Sequence, residues 1–423
     1  MNDAYLRVVA GRTPAEERGA AERLKTDFYA SIASVDFAGM PDTAAAKSAL
    51  RFVVLLGVVS LFADMTYEGA RSITGPWLGT LGASAIVVGV VAGAGELIGY
   101  ALRLASGLFA DRTHRYWATT IVGYAVNLFA VPLLALTGSW PAAAALIITE
   151  RAGRAIRKPS GDAMLSHAGG VIGHGWAFGL REALDQTGAV LGPLTVAFIL
   201  ARQLGYPTAF ASLAVPAALS FVFLLIAARQ FPRPRDLDVK TPPALVAEPR
   251  RFWIYTIAGG LVAAGTVDFP IVAFHLAKHS VVTPAGVPLL YALAMGSAAV
   301  SAPAIGVLMD RRGMPVLVST VVVTAAAAPL LFLGDARWAV AGAAVWGLST
   351  ALQDATIRAM LARLVPPDRR ASAYGIFDSV FGVAWFVGSA AMGGLYVLAP
   401  VDLVICSVVL QLASVPLFLL AQR

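Results

Sequence analysis

The sequence is almost without cysteine and poor in charge. Cys406 is the only thiol among 423 residues, which excludes a disulfide framework and a thiolate metal site. Charged residues make up 13% of the chain, about half of the roughly 25% typical of a soluble domain. A surface that faces water on all sides cannot be built from that composition. The sequence also lacks a phosphate-binding glycine loop, a metal-ligand cluster and a nucleophile–base–acid set. No cofactor and no metal is expected, and an enzyme is the reading with least support. No apolar segment precedes Phe52, so a cleavable signal peptide is not expected.

Apolar residues are abundant: 58% of the chain, with a mean hydropathy of +0.73. Runs of about twenty apolar residues, the length that crosses a bilayer core, recur from Phe52 almost to the C-terminus. The pattern predicts an all-α polytopic membrane protein with twelve spans. They lie near 52–78, 85–109, 117–137, 141–160, 174–200, 207–228, 252–277, 286–309, 315–333, 338–362, 372–397 and 402–421. The polar, Pro-rich "RQFPRPRDLDVKTPPALVAEPRR" reads as a linker. The expected organisation is a solvated extension (1–50), a six-helix bundle (51–230), a linker (231–250) and a second bundle (251–423).

The net charge of +7 does not point to nucleic acid, because the basic residues gather in alternate loops. Arg112, Arg115, Arg157, Lys158, the linker arginines, Arg311, Arg312, Arg363, Arg369 and Arg370 fall on one side, against Arg202, Lys278 and Arg337 on the other. The excess marks the cytoplasmic face. Both termini are expected there, in the inner membrane of a bacterium.

The two halves repeat. "GLFADRTHR" and "GVLMDRRGM" place Asp111 and Asp310 199 residues apart. "AMLSHA" and "AFGLREALDQTGAVLG" match "AMLARL" and "AYGIFDSVFGVAWFVG" at an offset of 196. Collinear matches at near-constant spacing describe two parallel six-helix repeats, related by an axis along the membrane normal.

The first span carries "ADMTYEGAR". Asp64, Glu68 and Arg71 share one helical face with Tyr67 close by, and Asp64 lies about 18 Å beyond Phe52 at ~1.5 Å per residue. Each such charge in a membrane costs roughly 2.5–3.5 kcal/mol by insertion scales, so this face is expected to look into a polar cavity. Arg71 is expected to pair with Glu68, one turn away, leaving Asp64 comparatively free. Asp268 stands 200 residues after Glu68, on the counterpart seventh span, and shares a face with His275. Glu68 and Asp268, with Asp64, are therefore candidates to carry protons or bind cationic groups. The alternative is that they are ion pairs holding helices in register. Glu96 with Arg103, and Asp354 with Arg358, are expected to pair locally, and Trp346 and Trp385 to pack.

The repeated motif resembles the major facilitator superfamily signature Gly-x-Leu-a-Asp-Arg-x-Gly-Arg-Arg. The first copy keeps Gly107, Asp111, Arg112 and Arg115 but has Phe109 and His114 at two positions; the second keeps Gly306, Leu308, Asp310, Arg311 and Gly313. The resemblance implies that these residues form a cytoplasmic gate, in which Arg151 of "ERAGRAIRKPSGDAML" latches Asp111. "GAVLGPL", with Gly188, Gly192 and Pro193, resembles the Gly-x-x-x-Gly-Pro core of proton-coupled exporters, although Thr195 and Val196 stand where two glycines would follow. Its physical content is close helix packing and a kink. What the resemblance implies is a monomeric secondary transporter that exports a small organic molecule with protons as the coupling ion. Uptake of a nutrient, siderophore or metal-linked compound, or a receptor that no longer transports, are the other readings.

Overall fold

The computed structural model describes residues 44–113, 115–172, 174–232, 249–357 and 370–422. The first half is built from α1 (Ala44–Thr80), α2 (Ala85–Thr113), α3 (Tyr116–Leu133), α4 (Trp140–Ile172), α5 (His174–Ala201), α6 (Gly205–Ser212) and α7 (Ala214–Gln230). The second half follows as α8 (Pro249–Gly265), α9 (Phe269–Lys278), α10 (Gly286–Arg312), α11 (Met314–Thr324), α12 (Ala327–Phe332), α13 (Ala336–Ala351), α14 (Arg370–Leu398) and α15 (Pro400–Gln422). No strand occurs among the described residues.

Nine helices or helix pairs among the described residues are long and apolar enough to cross a membrane, and the apolar stretch Gly286–Ala302 of α10 is shorter. Two more of the twelve expected spans also fall outside that measure. The middle of α4 carries Glu150, Arg151, Arg154, Arg157 and Lys158, and α13 has only 16 residues before it passes into a π-helical turn, Leu352–Ile357.

The helices depart from the expected boundaries for local reasons. Where a polar loop was expected after residue 160, α4 continues through Pro159 to Ile172. Its apolar residues Met164, Leu165, Ala168 and Ile172 recur at helical spacing and are buried with Phe52, Val53 and Leu56 of α1, so burial of that stripe carries the helix onward. The seventh span is not continuous. It breaks at Thr266–Asp268, where Asp268 is extended (φ −70, ψ 140) and Pro270 stands in the first turn of α9. Backbone freed within a membrane must be satisfied internally. Ser407 Oγ donates to Gly265 O at 2.6 Å, and Trp346 Nε1 to Val267 O at 2.8 Å.

Glycine sets the closest crossings. A Cβ at Gly188 would stand 2.1 Å from Leu61 O, and one at Gly192 2.2 Å from Met65 O, so α5 lies directly against α1. Between the halves, a Cβ at Gly75 would meet Pro270 O at 1.9 Å, and one at Gly89 would meet Ser389 O at 2.4 Å. α1 therefore seats on α9, and α2 on α14. The α2–α14 contact has its counterpart under the sequence repeat in the packing of α5 on α10. By contact, α9 lies chiefly against α1 and then α2, whereas α8 lies against α14 and α15.

Candidate functional site

Halfway along α1 the sequence places alternating acids and a base on one face, and other helices supply their partners. Tyr67 Oη donates to Asp64 Oδ2 at 2.8 Å, and the Arg154 guanidinium lies 4.1 Å above the Tyr67 ring. Tyr291 of α10 donates a short hydrogen bond to Glu68 Oε2. One turn further, Arg71 Nη2 donates to Asp268 Oδ1 at 2.9 Å and stands 3.8 Å from Glu96 Oε1. Trp385 of α14 donates to the other Asp268 oxygen at 3.3 Å. Two links, Tyr291–Glu68 and Arg71–Asp268, thus join the halves from adjacent turns of one helix face. Asp64, Glu68 and Asp268 are all buried.

A second group adjoins the first on α2, α3 and α4. Arg151 Nη1 lies 3.5 Å from Glu96 Oε1, and its Nε 3.5 Å from Glu150 Oε2. Asn127 of α3 donates to Glu150 Oε1 at 2.6 Å. Arg157 stacks on Tyr124 with 4.2 Å between guanidinium carbon and ring centre. Between α1, α2, α3 and α4 lies a cavity with room for about two water molecules. Arg71, Glu150 and Arg151 are its charged walls, Leu78, Val88 and Ile147 are among its apolar ones, and Pro270 closes it from the second half.

Several expectations need correction. Arg71 does not turn back to Glu68; it reaches across to Asp268, and Glu68 is held by Tyr291 instead. Asp64 is not free, because Tyr67 engages it. Glu96 pairs with Arg151 and Arg71 rather than with Arg103, whose guanidinium lies over the Tyr100 ring at 5.0 Å. Trp385 and Trp346 do more than pack, since both indoles donate at the break in the seventh span. His275 shares no contact with Asp268: its Nδ1 is 3.1 Å from Tyr396 Oη and its ring lies against His279 and Phe332.

Of the gate residues, Arg112 and Arg115 are exposed at the end of α2 and just beyond it. Gly107 faces Pro159, where an added Cβ would make ordinary contact at 3.5 Å. Gly313 ends α10 at φ 67, ψ −138, a conformation open to glycine. The side chains of Asp111, Asp310 and Arg311 lie outside the described residues, as do those of Asp354 and Arg358. Arg151, expected to latch Asp111, is engaged by Glu96 and Glu150 in the middle of the bundle.

Tyr291, Glu150, Asn127 and Arg154 were missed as site residues. Asn127 and Glu150 carried a usable signal, since a polar residue in an apolar span is seldom without a role. Tyr291 sits among apolar neighbours and gave none.

The Major Facilitator Superfamily model matches residues 55–389. A Mycobacterium tuberculosis (strain H37Rv) protein, Rv2265, is 42% identical over 380 residues, covering 88% of this chain and 93% of the relative. The MFS-type transporter MJ1317 of Methanocaldococcus jannaschii is 24% identical over 82% of this chain and 89% of its own. Among solved structures, the nucleoside transporter NupG superposes with a TM-score of 0.69 at 15% identity, covering 88% of this chain and 98% of its own. A peptide transporter, POT, in complex with sulfate, does so with 0.68 at 13%, covering 88% and 94%. At those identities the likeness is one of fold. The protein is a multi-pass membrane transporter rather than an enzyme. The family match over most of the chain, and the helical architecture that agrees with it, establish that the chain belongs to the Major Facilitator Superfamily.

Proposed function

We propose that this transporter exports a small organic molecule with protons as the coupling ion. Two six-helix bundles, 51–230 and 251–423, rock about the buried charge cluster and open it to one side at a time. The observation that carries the reading is the pair of links between halves: Glu68 and Asp268, one carboxyl from each half, are each held by a group from the other. Asp64, Glu68, Glu96, Glu150 and Asp268 stand among Arg71, Arg151, Arg154 and Arg157. Asp111, Arg112 and Arg115, with Asp310 and Arg311, serve as the cytoplasmic gate of this reading. The protein works as a monomer in the inner membrane with both termini inside.

The test compares the small-molecule contents of cells with and without the gene, and of their medium. A compound that accumulates inside the deletion strain and returns to normal on complementation supports export. A compound depleted inside and left in the medium means uptake. In proteoliposomes, Glu68→Gln and Asp268→Asn should each abolish proton-linked flux while inserting normally; full flux from both at every pH would remove the carboxyls from the mechanism.

A further inference from the structure

We infer that the cargo carries an anionic head on a short aliphatic body, and that Arg71 and Arg151 hold the head. This inference rests on the transporter reading and specifies its substrate class.

Both arginines wall the same cavity. Each keeps a buried N–H without a hydrogen-bond acceptor: Nε of Arg71 and Nη1 of Arg151. Their carboxylate neighbours are otherwise placed. Asp268 takes Nη2 of Arg71; Glu96 stands at 3.8 Å from that atom and at 3.5 Å from Arg151, too long or misaligned for hydrogen bonds. Glu150 accepts from Asn127 through Oε1 at 2.6 Å, and its Oε2 faces Nε of Arg151 at 3.5 Å rather than the bare Nη1. Donors left bare in a buried site favour an occupant that brings acceptor oxygens, and a guanidinium favours a planar anionic one. Apart from Tyr67 and Thr74, the remaining walls, among them Leu78, Val88 and Ile147, are apolar, which suits a saturated body better than a sugar or a polar chain.

The cavity holds only about two waters with α9 seated on α1, so the body of the cargo enters when that contact opens.

The experiment uses the purified full-length protein in detergent. Dissociation constants for butanoate, butylamine and butan-1-ol, which share one aliphatic body, are read from shifts in thermal stability at neutral pH. Butanoate should bind about tenfold to a hundredfold more tightly than the alcohol, the range of a charge-assisted hydrogen bond. Arg151→Gln should bring the two within about twofold. Because Arg151→Gln removes a counter-charge from Glu96, the pair Arg151→Gln/Glu96→Gln is measured beside it and should lose the preference equally. Tighter binding of the amine, indistinguishable binding of all three probes, or no binding of butanoate would overturn the assignment. The cellular comparison detects transport whatever the charge of the cargo, so failure of the substrate class and failure of the transport reading are told apart.

Discussion

The Arg71–Asp268 contact makes an asymmetric prediction. At an effective dielectric of ~20, two unit charges 2.9 Å apart attract by about 6 kcal/mol, and at 3.8 Å by about 4 kcal/mol. Desolvation opposes most of that gain, and breaking a buried pair by removing one partner costs about 3–5 kcal/mol. The two partners are not equally replaceable. Removing Asp268 leaves Arg71 with Glu96 at 3.8 Å, so Asp268→Asn should fall near the lower figure, about 3 kcal/mol. Removing Arg71 strands Asp268, which is 1% exposed and, among the described residues, keeps the Trp385 indole alone. Arg71→Gln should therefore lie nearer 5 kcal/mol. The double variant should be less harmful than Arg71→Gln alone, because it leaves no carboxylate stranded. Denaturant unfolding of all four proteins in one detergent measures the cycle. Single effects that add to within about 0.5 kcal/mol would show the two groups to be independent. A larger loss from Asp268→Asn than from Arg71→Gln would refute the role given to Glu96.

Three further outcomes follow from the same geometry. Tyr291→Phe removes the donor to Glu68 and should cost about 1.5–3 kcal/mol, the worth of a hydrogen bond to a charged group; unchanged unfolding would mean that Glu68 is held by other means. Gly75→Ala places a Cβ 1.9 Å from Pro270 O, and overpacking of about 1–3 kcal/mol should shift the opening of α9 from α1 roughly five- to hundredfold. Alkylation of Leu78→Cys in a Cys406→Ser background reads that opening, and an unaltered rate would show that the contact is not a closure. Gly188→Ala should lower the melting temperature because Leu61 O stands 2.1 Å from the new methyl, whereas Gly394→Ala, with nothing within 4 Å, should leave it nearly unchanged.

Much of the architecture could be read in the sequence, because apolar run length and repeated Gly-x-x-x-Asp-Arg segments are properties of the chain itself. The acidic face of α1 was legible for the same reason: Asp64, Glu68 and Arg71 fall at helical spacing. What spacing could not supply was the choice of partner. Arg71 has Glu68 one turn away and Asp268 across the interface, and its side chain is long enough for either; only the packing of α9 against Gly75 brings Asp268 within 2.9 Å. Glu96 shows the same rule, passing over Arg103 on its own helix for Arg151 on another. The break before α9 was half legible. Gly265 and Pro270 flank it, but the side chains that satisfy its carbonyls come from Trp346 and Ser407, about 80 and 140 residues further on.

That break also separates chain connectivity from mechanical connectivity. Along the chain the first half passes to the second between α7 and α8, yet α9 rests mainly on α1 and α2 while α8 rests on α14 and α15. A rigid swing of the two bodies would therefore part the seventh span at Thr266–Asp268, with α9 able to stay behind as a plug lodged in the opposite body. The non-helical stretch Thr266–Asp268 then takes up rotation that an unbroken helix would have to bend to accommodate. Asp268 ends that stretch, so the pivot itself carries the charge that Arg71 grips.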